Sequence, residues 1–185
     1  MNQVATQYDI KTERLFLRPP GLEDARELFG LMSDTKMTRF LAWESHISIE
    51  TTNAVIQSLM DAQQNDKGYH WCVCLDDKII GLVSLIDVKR KLRTWTLNRA
   101  ELSYWIGAQH QSKGYATEAS GSVIKFGFEK LNLHKIIVAH AFENIESESI
   151  CRKLNFSKYA HEHDAFQKNN DWHDLVWYEL INRDK

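Results

Sequence analysis

The stretch Ala100–Ala119, reading AELSYWIGAQHQSKGYATEA, decides the fold. It begins inside a strand, Arg99 to Ile106, crosses a short loop that contains glycine, and enters a helix running from Gly114 to Leu131. That helix carries Ala116, Ala119, Val123, Phe126 and Phe128 at helical spacing. Its entry has the makings of an anion site. The first amides of a helix lack intrahelical acceptors and the helix dipole adds partial positive charge, so a phosphate or pyrophosphate fits there. Gly114 lets the backbone approach a ligand closely, because no side chain intervenes. Many ordinary loops also enter helices through glycine, so the flanking elements must carry the rest of the reading.

Downstream, Lys135 to Ala141 reads as a strand, which completes a strand, helix, strand order. A shorter helix, Ile145 to Leu154, ends at Asn155, a residue type that tolerates the left-handed conformation of a helix terminus. Closing strands follow near Phe156 to His161 and Trp172 to Ile181. Upstream, Glu13 to Arg18 alternates Leu15 and Leu17 against Arg14, Phe16 and Arg18, and Pro19 with Pro20 ends this first strand. The run Leu22 to Met32 predicts an amphipathic helix with Leu22, Ala25, Leu28, Phe29 and Met32 on its apolar face. A second helix opens at Ser48 and presents Ala54, Val55, Leu59 and Ala62. A hairpin comes next, Tyr69 to Leu75 and Lys78 to Ile86 around Asp76 and Asp77. The basic and aromatic stretch Asp87 to Asn98 is expected to be a long hairpin loop.

At 185 residues and 43% hydrophobic content the chain is sized for a single domain, residues 1–185, with a sizeable core. Its 23 Lys and Arg nearly balance 25 Asp and Glu, so no overall field recommends nucleic acid or an anionic membrane as a partner. Met1 to Lys11 lacks the apolar core of an export signal, and no long uncharged apolar run is present. Cys72, Cys74 and Cys151 have no metal-ligand spacing and read as reduced thiols of a cytoplasmic chain. His134, His140, His161, His163 and His173 form no spaced set on one helix, so no metal is expected.

The segment Gln111-Ser112-Lys113-Gly114-Tyr115-Ala116 resembles the Gln/Arg-x-x-Gly-x-Gly/Ala pyrophosphate loop of the GNAT acetyltransferase superfamily. In the order that family requires, AELSYWIG resembles its fourth strand and ENIESESICRKLNF its Asn-x-x-Ser segment. TERLFLRPP, FLAW, GLVSL and DLVWYEL extend the likeness over nearly the whole chain, which looks most like the ribosomal-protein N-terminal acetyltransferase branch, the RimL/RimJ type. The resemblance implies an α/β (α+β) GNAT fold: a mixed, mostly antiparallel sheet of about seven strands with about four helices, splayed between its fourth and fifth strands. It implies acetyl-CoA as co-substrate and an amine as acceptor, above all a protein N-terminus such as that of a ribosomal protein. A polyamine or aminoglycoside-type amine is the nearest alternative, and a non-catalytic acetyl-CoA-binding regulator a third. The family also forms dimers, and an exposed closing strand would suit a homodimer.

Residue by residue, the likeness implies that the amides of Gln111, Ser112, Lys113, Gly114, Tyr115, Ala116 and Thr117 hold the pyrophosphate. Asn144 and Ser149 meet the pantetheine arm, Ile106 lines its path, and the backbone of Tyr104, Trp105 and Ile106 polarises the acetyl carbonyl. Asn144 is equally suited to cap the helix that follows it. Two positions depart from the family pattern. Asn155 replaces a glycine, which its left-handed tolerance accommodates. Cys151 stands where many relatives place the tyrosine that protonates the departing thiolate, leaving Ser147, then Ser149, as candidate acids.

The chemistry sets the remaining roles. Only a neutral amine attacks a thioester, and a lysine titrates near 10.4 but an α-amine near about 7.7–8.0. Glu101, on a strand otherwise rich in apolar groups, is the candidate general base through a water, with its pKa raised by partial burial. The bland reading is a carboxylate paired with Arg99 or a lysine. Trp43 and Trp95 are candidates to border the acceptor cleft, with core packing as the other reading of Trp43.

Overall fold

The computed structural model describes residues 6–183, so the export-signal reading of Met1 to Lys11 lies partly outside the described residues. The elements run β1 (Ile10–Lys11), β2 (Phe16–Arg18), α1 (Ala25–Met32), α2 (Ile49–Gln64), β3 (Tyr69–Leu75), β4 (Lys78–Leu92), β5 (Trp95–Ile106), α3 (Tyr115–Glu129), β6 (Lys135–Ala141), α4 (Ile145–Lys153), β7 (Ser157–Lys168) and β8 (Asp171–Ile181). They build a mixed eight-stranded sheet in the order β1-β2-β3-β4-β5-β6-β8-β7. The strand beyond the expected set is the two-residue β1. Every neighbouring pair is antiparallel except β5 with β6.

Both faces of the sheet are covered, and the twofold alternation of a strand sorts side chains between them. In β3, Trp71 and Val73 join one core with Leu85, Leu102, Val123 and Ile136. Cys72 and Cys74 face the other, with Leu28, Ile56, Leu82 and Trp105. Two helix faces differ from the sequence expectation. Leu22 is exposed, in a short 3-10 turn ahead of α1. Helix α2 buries Thr52 and Ile56 and turns Ala54 outward, because Ile56 brings far more apolar area to the core than an alanine does.

The expected long loop Asp87–Asn98 is instead a paired ribbon. Strands β4 and β5 stay paired, through register shifts between Ile86 and Lys89 and between Lys89 and Lys91, as far as Leu92 opposite Trp95. Val88 continues the buried row of β4. Arg90 is tied down by Asp66 at 2.7 Å and by the Leu131 carbonyl at 2.7 Å. Basic residues looked like a loop in the sequence, but a ribbon leaving the domain has two polar faces and accepts them. Likewise β7 runs beyond His161 to Lys168, and Asn169 and Asn170, with φ of 52° and 68°, form the turn into β8. Asn155 ends α4 at φ 61°, in the left-handed region its sequence position suggested.

Candidate active site

Strands β5 and β6 pair only from Arg99 to Glu101 opposite Lys135 to Ile137. Past Glu101 they part, and the β5 edge from Leu102 onward offers its peptide groups to the gap and not to a neighbouring strand. A cleft of about 1070 Å³ opens there, walled on one side by β6, α4 and the mouth of α3, and on the other by residues 36–44 and the β7–β8 hairpin. The splay is thus what makes the site.

At the α3 mouth, Gly114 has φ 83°, a conformation that strains any other residue type. The amides of Ser112 to Thr117 find no acceptor among the described residues, the usual state of a helix start. The Gln111 side chain turns away from the mouth and donates to the Ile106 carbonyl at 2.9 Å, fastening the loop to the end of β5. Arg14 is a contributor the sequence reading passed over. Its guanidinium lies 4.6 Å from the Tyr115 ring centroid, donates to the Lys113 carbonyl at 3.0 Å, and pairs with Glu118 at 2.6 Å. Arg14, its charge compensated by Glu118, thereby fastens the loop and the first turn of α3 to the β1–β2 segment.

Glu101 is the last β5 residue paired with β6, and its side chain lines the cleft. Among the described residues it makes no ion pair, with Arg99 or with any lysine. Burial raises its pKa, the Asp87 charge adds to the rise, and Lys89 opposes it. Three residues along, the Tyr104 hydroxyl lies 2.6 Å from Ser147 Oγ. Burial and the neighbouring Cys151 push that phenol well above its ordinary value, while the Ser147 bond works the other way. Burial also lifts the Cys151 thiol to about 11, so it stays protonated. Asn144 caps α4 by accepting from the Ser147 amide at 3.1 Å, which fixes the serine toward Tyr104.

Of the remaining sequence candidates, Trp105, Ile106, Gln111, Ser112, Gly114, Tyr115, Ala116, Thr117, Asn144 and Ser149 also line the cleft. Three lie elsewhere. Lys113 is exposed and donates to the Gln109 carbonyl at 3.1 Å. Trp43 packs edge-on against Trp105 at 6.1 Å, beneath the acceptor side. Trp95 is not among the residues lining the cleft: it is 69% exposed at the tip of the β4–β5 ribbon, placed there by pairing where a loop was expected. His140, set aside in the sequence, is 6% exposed on the cleft wall, with Nε2 lacking a partner among the described residues.

The acceptor side has a strap. Lys168, near the tip of the β7–β8 hairpin, sends its ammonium into the loop between α1 and α2, donating to the carbonyls of Thr38 at 2.8 Å, Leu41 at 2.6 Å and Trp43 at 3.3 Å. No local sequence pattern could have announced a contact between residues so far apart in the chain.

Residues 14–157 match the acetyltransferase (GNAT) domain family. The chain belongs to that family and is an acetyl-CoA-dependent N-acetyltransferase of the GNAT type. It is 28% identical over 174 residues to the uncharacterized N-acetyltransferase YoaA of Bacillus subtilis (strain 168), covering 93% of this chain and 96% of that one. It is 30% identical over 142 residues to the spermidine N(1)-acetyltransferase of Escherichia coli (strain K12), covering 76% and 72%. The fold superposes with a TM-score of 0.86 on RimL, the ribosomal L7/L12 alpha-N-protein acetyltransferase in complex with coenzyme A, at 18% identity and over 94% and 97% of the two chains. Among the described residues no helix is long and apolar enough to cross a membrane.

Proposed function

We propose that this enzyme acetylates the N-terminal α-amine of a protein, with a ribosomal protein as the candidate acceptor, and that residues 1–185 act as one catalytic domain. The observation that carries this reading is the charge of the acceptor wall. Lys36 and Arg39 stand there with Glu44 and Glu101, so the wall has no acidic excess to hold a polycation. One carboxylate suffices for a single α-amine, which is also the easier amine to deprotonate. The likeness to RimL in fold agrees with it.

In this reading the amides of Ser112 to Thr117 hold the pyrophosphate of acetyl-CoA, and Asn144 with Ile106 guides the pantetheine arm into the splay. The unpaired β5 backbone around Tyr104 to Ile106 donates toward the acetyl oxygen, where negative charge grows as the amine attacks. Glu101 takes the proton from the amine through a water. Ser147, held by the Asn144 cap and backed by the Tyr104 hydroxyl, gives a proton to the departing thiolate, in place of the tyrosine that Cys151 replaces.

Thiol release from acetyl-CoA, measured with a panel of peptides and with spermidine, tests the acceptor. Turnover of peptides above spermidine is expected, and preference for spermidine would overturn the reading in favour of the relatives that bear that name. Glu101→Gln is expected to bind acetyl-CoA normally and to lose about a hundredfold or more in kcat, along with the acidic limb of the pH profile. That limb lies above the ordinary glutamate range in the parent, because burial raises the Glu101 pKa and the base must be ionised. Unchanged turnover would remove Glu101 from the mechanism.

A further inference from the structure

On the outer hairpin the chain brings together three donor groups that acetyl transfer does not use. His161 Nε2 lies 2.7 Å from Asp174 Oδ2, and His163 Nδ1 lies 2.9 Å from the same oxygen. All three donor atoms fall within 4.8 Å of one another. Histidines two apart on one strand share a face, and Asp174 of β8 comes to that face from across the pair. The spacing is a strand's signature, so a search for helical ligand spacing passes over it.

We propose that His161, His163 and Asp174 form a binding site for a late first-row divalent cation of the zinc type, outside the catalytic cleft. The donor set fits that chemistry: imidazole nitrogen selects zinc, nickel or copper over magnesium and calcium, which take oxygen donors. Zinc is held at roughly 2.0–2.2 Å, which sets tetrahedral donors about 3.4 Å apart, so each histidine has to draw back from Asp174 by some tenths of an ångström while the two imidazoles, whose donor atoms lie within 4.8 Å, turn toward the ion. The cation takes the place of the protons now shared between imidazole and carboxylate, and those protons go to solvent.

Two of the three donors, Asp174 and His161, are also held from behind, as ligand groups in working metal sites are. The second oxygen of Asp174 accepts the Asp164 amide at 3.0 Å. Pairing is irregular between Glu162 and Phe166, where Asp164 has φ 47°, and this bulge turns the Asp164 amide toward the carboxylate. The His161 ring stacks on Phe142, with 5.2 Å between centroids and 14° between planes. Phe142 is itself bonded through its amide to the Asp174 carbonyl at 3.0 Å. The cation would therefore brace the segment that leads through Asn144 into α4.

The test is titration of metal-free protein carrying no polyhistidine tag with zinc chloride, followed by calorimetry and by thermal midpoint. The parent is expected to take up one zinc per chain, saturably, and to melt higher when loaded. His163→Ala and Asp174→Asn should each weaken uptake at least tenfold and lose the rise in midpoint. The His163 side chain is 78% exposed, so its removal leaves the fold intact. His173→Ala, whose ring stacks on Phe166 and lies 3.6 Å from Glu143, should behave as the parent. No saturable uptake by the parent, uptake equal in the parent and both site variants, or full competition by magnesium chloride would overturn the proposal.

Discussion

Replacing Lys168 by methionine keeps the apolar stem of the side chain and removes only the ammonium that straps the acceptor loop. That ammonium is 11% exposed by side chain and donates to three carbonyls, with Glu44 a further 3.7 Å away. A hydrogen bond from a charged donor contributes about 1.5–3 kcal/mol. The three do not add, because a loop freed of its donor can turn its carbonyls to water, so a net loss of about 2 kcal/mol is the reasonable figure. Each kcal/mol moves the melting midpoint of a chain this long by about 2–4 °C, which gives a fall of about 4–8 °C. If closing the loop over the acceptor depends on the strap, the same energy appears as a rise of roughly tenfold or more in acceptor KM. The KM for acetyl-CoA should hold, because the α3 mouth at Ser112 to Thr117 lies apart from the carbonyls of Thr38, Leu41 and Trp43 that Lys168 holds. Steady-state thiol release with each substrate varied in turn reads both constants. A variant with an unchanged midpoint and an unchanged acceptor KM would refute the strap.

Two further outcomes follow from single contacts. Tyr104→Phe deletes the phenolic partner of Ser147 and is expected to lower kcat by about twofold to tenfold, whereas Ser147→Ala should cost about a hundredfold or more; equal, negligible effects in a single-turnover assay would remove both from the thiolate step. His70 is buried and titrates at about 4 instead of 6.5, so the unfolded chain takes up the proton first and stability, full above pH 6.5, is lost as the pH falls toward 4. The loss is about 3 kcal/mol across that window, and denaturant unfolding at stepped pH should show a flatter profile in His70→Gln.

The sequence by itself determined what neighbours along the chain can decide. Alternation of Leu15 with Leu17, and of Trp71 with Val73, placed strands, because the twofold period is fixed by the backbone. Gly114 marked the mouth of α3 and Asn155 the end of α4, since positive φ selects residue types locally. Glu101 was legible as an unusual carboxylate among apolar residues. The ribbon from Val88 to Leu92 was not legible, because polar residues in an exposed two-stranded arm have the composition of a loop, and the place of Trp95 at its tip was not legible either. The α2 face was legible in Val55 and Leu59, which pack on the core, but helical spacing alone did not single out Ile56 over Ala54. Only the tertiary structure decided the rest. The pairings of Arg14 with Lys113, Tyr104 with Ser147, and Lys168 with Leu41 join residues 99, 43 and 127 positions apart. Such contacts arise from the packing of whole elements, and loop closure over those lengths leaves no periodic trace in the chain. The parting of β5 from β6 after Glu101 is of the same kind, and it turns a glycine loop, a carboxylate and a serine, scattered in the sequence, into the walls of one cleft.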